Sequence, residues 1–187
     1  MHARLRCGCD LAAITHGHRT GYLAAGFLAQ LLHELAAGAT LPTAAKRANA
    51  VLARAPGHEE TLAAVQHAVA LAKYGKGTPE EVESLGGGWV AEEAVAIGLF
   101  AALVAKDFEH GVLLAVNHGG DSDSTGSIAG NILGLIHGET GIPACWLERL
   151  ELRDLIGEVA HDLWLHFGDG APDRVEPCSD LDRHPAN

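Results

Sequence analysis

The sequence predicts an all-α fold, a compact multi-helix domain. Three observations point there. Alanine makes up about a sixth of the chain and leucine is abundant, and both favour helix by intrinsic propensity. Apolar residues recur at three- and four-residue spacing through most of the chain. No segment alternates with period two for long enough to be a strand, and β-branched residues are sparse. No repeat of 20–50 residues is visible, which excludes a solenoid.

The first expected helix runs over residues 21–37, with Leu23, Phe27, Leu31 and Leu35 on one stripe and Gly38 as its stop. The second, 42–55, opens at Pro42, turns Ala45, Ala48 and Leu52 inward, and stops at Pro56-Gly57. The third, 59–74, has Leu62, Val65, Val69 and Ala72 on one face. Thr78-Pro79-Glu80-Glu81 reads as a capping box: an N-cap threonine, proline at the first helical position, and a glutamate three residues after the cap. That short helix ends in Gly86-Gly87-Gly88. Residues 89–105 resume with Trp89, Ala91, Val95, Leu99 and Ala102 inward. Asp107 caps a helix ending near Val116. After the polar loop 117–124, another helix spans about Thr125 to His137. Pro143 opens a segment with Trp146 and Leu150. Residues 151–167 place Leu152, Leu155, Ile156, Val159, Leu163 and Phe167 on an apolar stripe. The expected domain is 1–167, followed by an irregular or disordered tail over 168–187.

The helix after residue 125 has Gly126, Gly130, Gly134 and Gly138 at four-residue spacing. Each glycine inside a helix costs roughly 1 kcal/mol relative to alanine. The stripe therefore predicts close approach by a tightly packed neighbour, with a merely glycine-tolerant core helix as the alternative. The helix is too short for membrane pairing.

The chain has 187 residues with 13 Lys+Arg against 24 Asp+Glu, a net charge of −11. That balance excludes non-specific nucleic-acid binding and an anionic membrane surface as partners. No apolar run is long enough for a spanning helix, and the first ten residues contain no signal-peptide core, so a soluble cytoplasmic domain is expected. The four cysteines form no C-x-x-C pair and no H-E-x-x-H occurs, which argues against zinc and against a disulfide scaffold. Lys73, Lys76 and their glycines lack the Walker spacing of a phosphate loop.

Chemistry concentrates in Gly119-Gly120-Asp121-Ser122-Asp123-Ser124-Thr125. Carboxylates two apart diverge on a helix, but converge in a turn entering one, and the two glycines provide the freedom for such a turn. Carboxylate plus hydroxyl oxygen is hard-ligand chemistry suited to Mg²⁺, Mn²⁺ or Ca²⁺. The alternative is that Asp121 or Asp123 is only a helix N-cap. The spacing is not that of an EF-hand. Thr15-His16-Gly17-His18-Arg19 is a second cluster, placed to bind an anionic group at a helix start or to stay solvated on the surface.

Three stretches together resemble the ADP-ribosylglycohydrolase family. They are Ile14-Thr15-His16-Gly17-His18, Leu85-Gly86-Gly87-Gly88-Trp89-Val90-Ala91-Glu92-Glu93-Ala94, and Asn117-His118-Gly119-Gly120-Asp121-Ser122-Asp123-Ser124 with the glycine stripe after it. Their order and rough separations also agree with the family, whose fold is all-helical. The resemblance implies that Asp121, Asp123 and Ser124 are metal ligands in a site for two Mg²⁺ or Mn²⁺ ions. It implies substrate-binding roles for His16, Gly86, Gly87, Gly88, Gly119 and Gly120, with His16 near the ribose–phosphate part of the ligand. The implied reaction hydrolyses the bond between the anomeric carbon of ADP-ribose and an acceptor such as arginine. The implied partner is thus ADP-ribose or an ADP-ribosylated protein.

The family also has a Thr-Asp-Asp-Thr motif, and this sequence contains no Asp-Asp pair. The expectation is that the chain corresponds to the C-terminal portion of the family domain. It then holds half of the metal ligands, with the catalytic residue in the N-terminal part. Two functions follow from that: a hydrolase whose other half is supplied by a partner chain or by an upstream reading frame, or a catalytically inactive structural or binding protein of the same fold.

Overall fold

The structure is a computed structural model and describes residues 2–167. All regular structure among them is helical, as predicted. The elements are α1 (Ala3–Ala12), α2 (Arg19–Ala36), α3 (Leu41–Leu52), α4 (Glu59–Ala72), α5 (Pro79–Glu83), α6 (Ala91–Val104), α7 (Phe108–Val116), α8 (Ser122–His137), α9 (Ala144–Leu147) and α10 (Arg153–Phe167), with a 3-10 turn at Glu139–Gly141. None is long and apolar enough to cross a membrane. The described residues divide into two units, 2–143 and 144–167.

In the first unit, α6 is the axis. Every residue from Ala94 to Ala102 is buried, because α2, α4, α7 and α8 pack around it. A helix apolar all round is a core helix. The stripe expected there is therefore too narrow, and its first member does not belong to it. Trp89 precedes the helix and is 73% exposed. On α2, Leu23, Phe27, Leu31 and Leu35 are buried as the spacing predicts, and α3 turns Ala45, Ala48 and Leu52 inward. The inward face of α4 is rotated from expectation: Thr61, Val65 and Ala68 are buried, while Leu62, Val69 and Ala72 are only half-buried.

Helix α1 is absent from the sequence expectation, since only Leu5 and Cys9 of its residues are buried. It is held by close helix contact. A Cβ on Gly8 would stand 2.8 Å from the Ala25 carbonyl oxygen, and one on Gly26 would stand 2.7 Å from that of Leu5. Leu5 reaches full burial in that crossing.

The glycine stripe of α8 is only partly explained by packing. Gly126 lies against Val116, but nothing lies within 4 Å of a Cβ at Gly130 or Gly134. The tightly packed neighbour expected along the whole stripe is not found among the described residues.

In the second unit, α10 forms where predicted. Its expected core stripe does not: Leu152, Leu155, Ile156, Val159 and Leu163 are all exposed. The irregular tail expected over 168–187 lies outside the described residues.

Candidate functional site

The loop between α7 and α8 is ordered by its own hydrogen bonds. The buried Thr125 hydroxyl lies 2.7 Å from the Ala115 carbonyl, and the Ser122 hydroxyl donates to the Val116 carbonyl at 3.0 Å. Both join the end of α7 to the start of α8. Inside the loop, the Gly120 N–H donates to His118 Nδ1 at 3.1 Å, and His118 Nε2 lies 3.1 Å from the Thr125 hydroxyl. Because Nδ1 is an acceptor here, a neutral ring carries its proton on Nε2 and donates it to Thr125.

Helix α8 begins at Ser122, three residues before the expected start, so Asp123 and Ser124 lie in its first turn. Asp121 occupies the N-cap position, yet its side chain makes no capping hydrogen bond. The Asp121 carboxyl instead meets Asp123. This hydrogen bond, with the N–H groups of Asp123 and Ser124, holds the Asp123 carboxyl below its ordinary range.

The Gly86–Gly88 loop lies directly against this turn. The Asp121 N–H donates to the Gly87 carbonyl at 2.8 Å. A Cβ at Gly120 would overlap the Gly87 carbonyl oxygen, so only glycine fits. Gly88, at φ +74°, leaves room for Thr125 and Asp121, where a Cβ would stand 2.9 Å from Thr125 Cγ2. The N–H groups of Gly87 and Gly88 donate to Glu93 Oε2 at 3.0 and 3.1 Å. They point at the protein's own carboxylate rather than outward.

These loops meet the start of α2 at a cleft of about 620 Å³, within the ordinary range for a small-molecule site. His16, Gly88, Trp89, Asp121 and Ser124 line it, with an apolar wall that includes Leu28, Val95 and Ile128. All three sequence clusters thus reach one cavity. Within it, His16 is exposed, and its Nδ1 lies 2.8 Å from the Thr15 hydroxyl. His18 caps α2 by accepting the Thr20 N–H. Arg19 lies over the Gly57 turn and is not among the lining residues. Asp123, Gly86, Gly87, Gly119 and Gly120 also lie outside the lining. Gly86, Gly87 and Gly120 shape the loops that present Asp121, while Gly119 is exposed and meets only the far edge of Glu83.

Sequence reasoning missed Glu93 and His118 as organisers of the site. Glu93 stands five residues after Gly88, where it reads as an ordinary first-turn acid of a helix. A similar ring of N–H groups surrounds Glu81. Lys76, Gly77 and Thr78 donate to its Oε2 at 3.0, 2.8 and 3.1 Å, and Thr78 and Glu81 form the predicted capping box. The lysine–glycine segment is therefore an anion cradle filled by its own chain.

The donor set at Asp121, Asp123 and Ser124 is two carboxyls and a hydroxyl. It suits one hydrated Mg²⁺ or Mn²⁺, which takes one or two carboxylates and keeps several waters. It falls short of a two-ion cage. No group of three or more His, Cys, Asp or Glu side chains able to hold a metal forms among the described residues.

Comparison with known proteins finds relatives of part of the chain. An uncharacterized protein of Archaeoglobus fulgidus is 38% identical over 87 residues, covering 46% of this chain and 28% of that protein. An ADP-ribosylarginine hydrolase of Serratia proteamaculans is 30% identical over 92 residues, covering 49% and 24%. An ADP-ribosyl-[dinitrogen reductase] glycohydrolase of Rhodospirillum rubrum is 38% identical over 50 residues, covering 27% and 17%. The matched stretch thus spans about a quarter of the first two relatives and less of the third. No solved structure matches the chain. The family model for ADP-ribosylglycohydrolase matches residues 2–172, and the chain belongs to that family.

Proposed function

We propose that this chain forms part of a metal-dependent hydrolase that releases ADP-ribose from an ADP-ribosylated acceptor such as arginine. The observation that supports the reading best is the convergence of His16, Gly88, Asp121 and Ser124 on one cleft. In this reading Asp121, Asp123 and Ser124 hold Mg²⁺ or Mn²⁺. The ion supplies Lewis acidity and charge neutralisation when bound. Asp121 and Ser124 present oxygens to the ribose end of the cleft. The carboxylates offset the charge of the ion; as the bond from the anomeric carbon breaks, its electron pair leaves on the acceptor, water adds to the carbon, and the proton that water loses ends on the acceptor. His16 donates a hydrogen bond at the rim to a ribose or phosphate oxygen. The apolar wall excludes water from the ligand's flat base. No general acid or base is assigned among residues 1–187; in this reading that group and the remaining metal ligands are supplied from outside them.

A second reading is a binding or structural protein of the same fold. It is favoured by the lack of a three-ligand metal cluster among the described residues.

Calorimetric titration separates the two. The expected result is weak Mn²⁺ binding, and ADP-ribose binding that strengthens with Mn²⁺ present. Both weaken about ten-fold or more in Asp121→Ala and Asp123→Ala, the loss of one charged contact. Ion binding indifferent to both substitutions would refute the metal assignment. ADP-ribose binding indifferent to Mn²⁺ and to Asp121 favours the second reading.

A further inference from the structure

We propose that Glu93 is the positioning residue of this site, acting on Asp121 through the peptide unit between Gly87 and Gly88. The inference rests on the reading above only for its functional consequence. Glu93 lies in the first turn of α6, the most deeply packed helix of the first unit. Its Oε2 accepts the N–H groups of Gly87 and Gly88 at 3.0 and 3.1 Å. The Gly88 N–H and the Gly87 carbonyl belong to the same peptide unit, which is planar and trans, so they point in opposite directions. The carbonyl of that unit accepts the Asp121 N–H at 2.8 Å. One rigid plate is therefore gripped on one edge by Glu93 and on the other by the backbone of the candidate ligand.

The glycines fit this device. Gly86 is at φ +119°, and a Cβ there would stand 2.6 Å from Glu93 Oε1 and 2.7 Å from Cγ, so the loop wraps tightly around the side chain. At Gly87 a Cβ would stand 2.7 Å from Trp89 Cδ1. The triple glycine thus lets backbone close around a carboxylate of the protein itself. The rotation of the gripped peptide sets where the Asp121 backbone begins. Glu93 itself is not among the residues that line the cleft, so it acts through the backbone and not on a ligand.

The test is amide hydrogen exchange by NMR on the full chain, with Glu93→Ala and Glu93→Gln. A single oxygen accepts both N–H groups, and glutamine retains one carbonyl oxygen. The expected pattern is a roughly ten-fold faster Asp121 amide exchange in Glu93→Ala, the effect of losing about one hydrogen bond, with most protection restored in Glu93→Gln. The Leu99 amide in the middle of α6 should be unaffected. Unchanged Asp121 exchange in Glu93→Ala, or an equal loss at Leu99, would overturn the proposal. If Glu93→Ala does not fold, the wild-type protein decides. Gly88 and Asp121 amides protected from exchange support the device, and fast exchange at either refutes it. Mn²⁺ titration of the same variants keeps the two readings apart. The exchange pattern without Mn²⁺ binding sinks the metal assignment alone. Mn²⁺ binding lost in Asp121→Ala, without the exchange pattern, sinks the Glu93 role alone.

Discussion

Gly120→Ala should destabilise the protein although alanine suits the backbone there, since Gly120 is not among the positive-φ positions. The cost is contact alone. The new Cβ would overlap the Gly87 carbonyl oxygen and stand 2.6 Å from Gly87 C and 2.9 Å from its Cα. Ordinary carbon contacts lie at about 3.5–4.0 Å, so the two loops must part by roughly 1 Å. These are backbone atoms with no rotamer to turn aside. Overpacking of this kind costs about 1–3 kcal/mol. Parting the loops also breaks the 2.8 Å bond from the Asp121 N–H to Gly87, worth about 1 kcal/mol net. The expected loss is about 2–4 kcal/mol. At about 2–4 °C per kcal/mol for a chain of this size, the melting temperature should fall by roughly 5–15 °C. Gly130→Ala is the control. Nothing lies within 4 Å of its Cβ, so the helix-propensity gain of about 0.5–1 kcal/mol should raise the melting temperature by a few degrees. Thermal unfolding followed by far-ultraviolet circular dichroism reads both. A Gly120→Ala protein that melts with the wild type would refute the loop contact. A destabilised Gly130→Ala protein would show that another surface covers the α8 stripe in solution.

Two more predictions follow from the packing. Leu5→Ala should cost about 2–5 kcal/mol by denaturant unfolding, because Leu5 is fully buried where α1 crosses α2; a loss below about 1 kcal/mol would mean that α1 is not docked. Glu81→Gln should lower the melting temperature at neutral pH and match the wild type in acid. The N–H groups of Lys76, Thr78 and Gly77 hold the Glu81 carboxyl below its ordinary range, so its contribution is complete above the unfolded value of about 4.3 and fades as pH falls through the depressed folded value. A difference between the two proteins that does not shrink as the pH is lowered through the acid range would contradict this account.

Local signals reached the structure where side chains act within one or two turns. The capping box at Thr78, the cap at Asp107 and the buried stripe of α2 all follow from neighbours in sequence. Helix α1 escaped because its stability comes from a close approach at Gly8 and Gly26, and periodicity does not register an absent side chain. The stripe of α10 has the spacing of a core face yet is exposed, because spacing reports an apolar face and not what covers it.

The same division holds at the site. The sequence alone determined the helical class and set three oxygen donors of the hard kind, Asp121, Asp123 and Ser124, within four residues of one another. It also marked the three clusters. Only the tertiary structure decided that they share a cleft and that the triple glycine closes on Glu93. The shared cleft depends on a main-chain bond between loops more than 30 residues apart, and the closure on Glu93 on the directions of two backbone N–H groups. Hydrogen bonds of that kind involve the main chain, which is the same at every position except proline and so leaves little trace in the order of the residues.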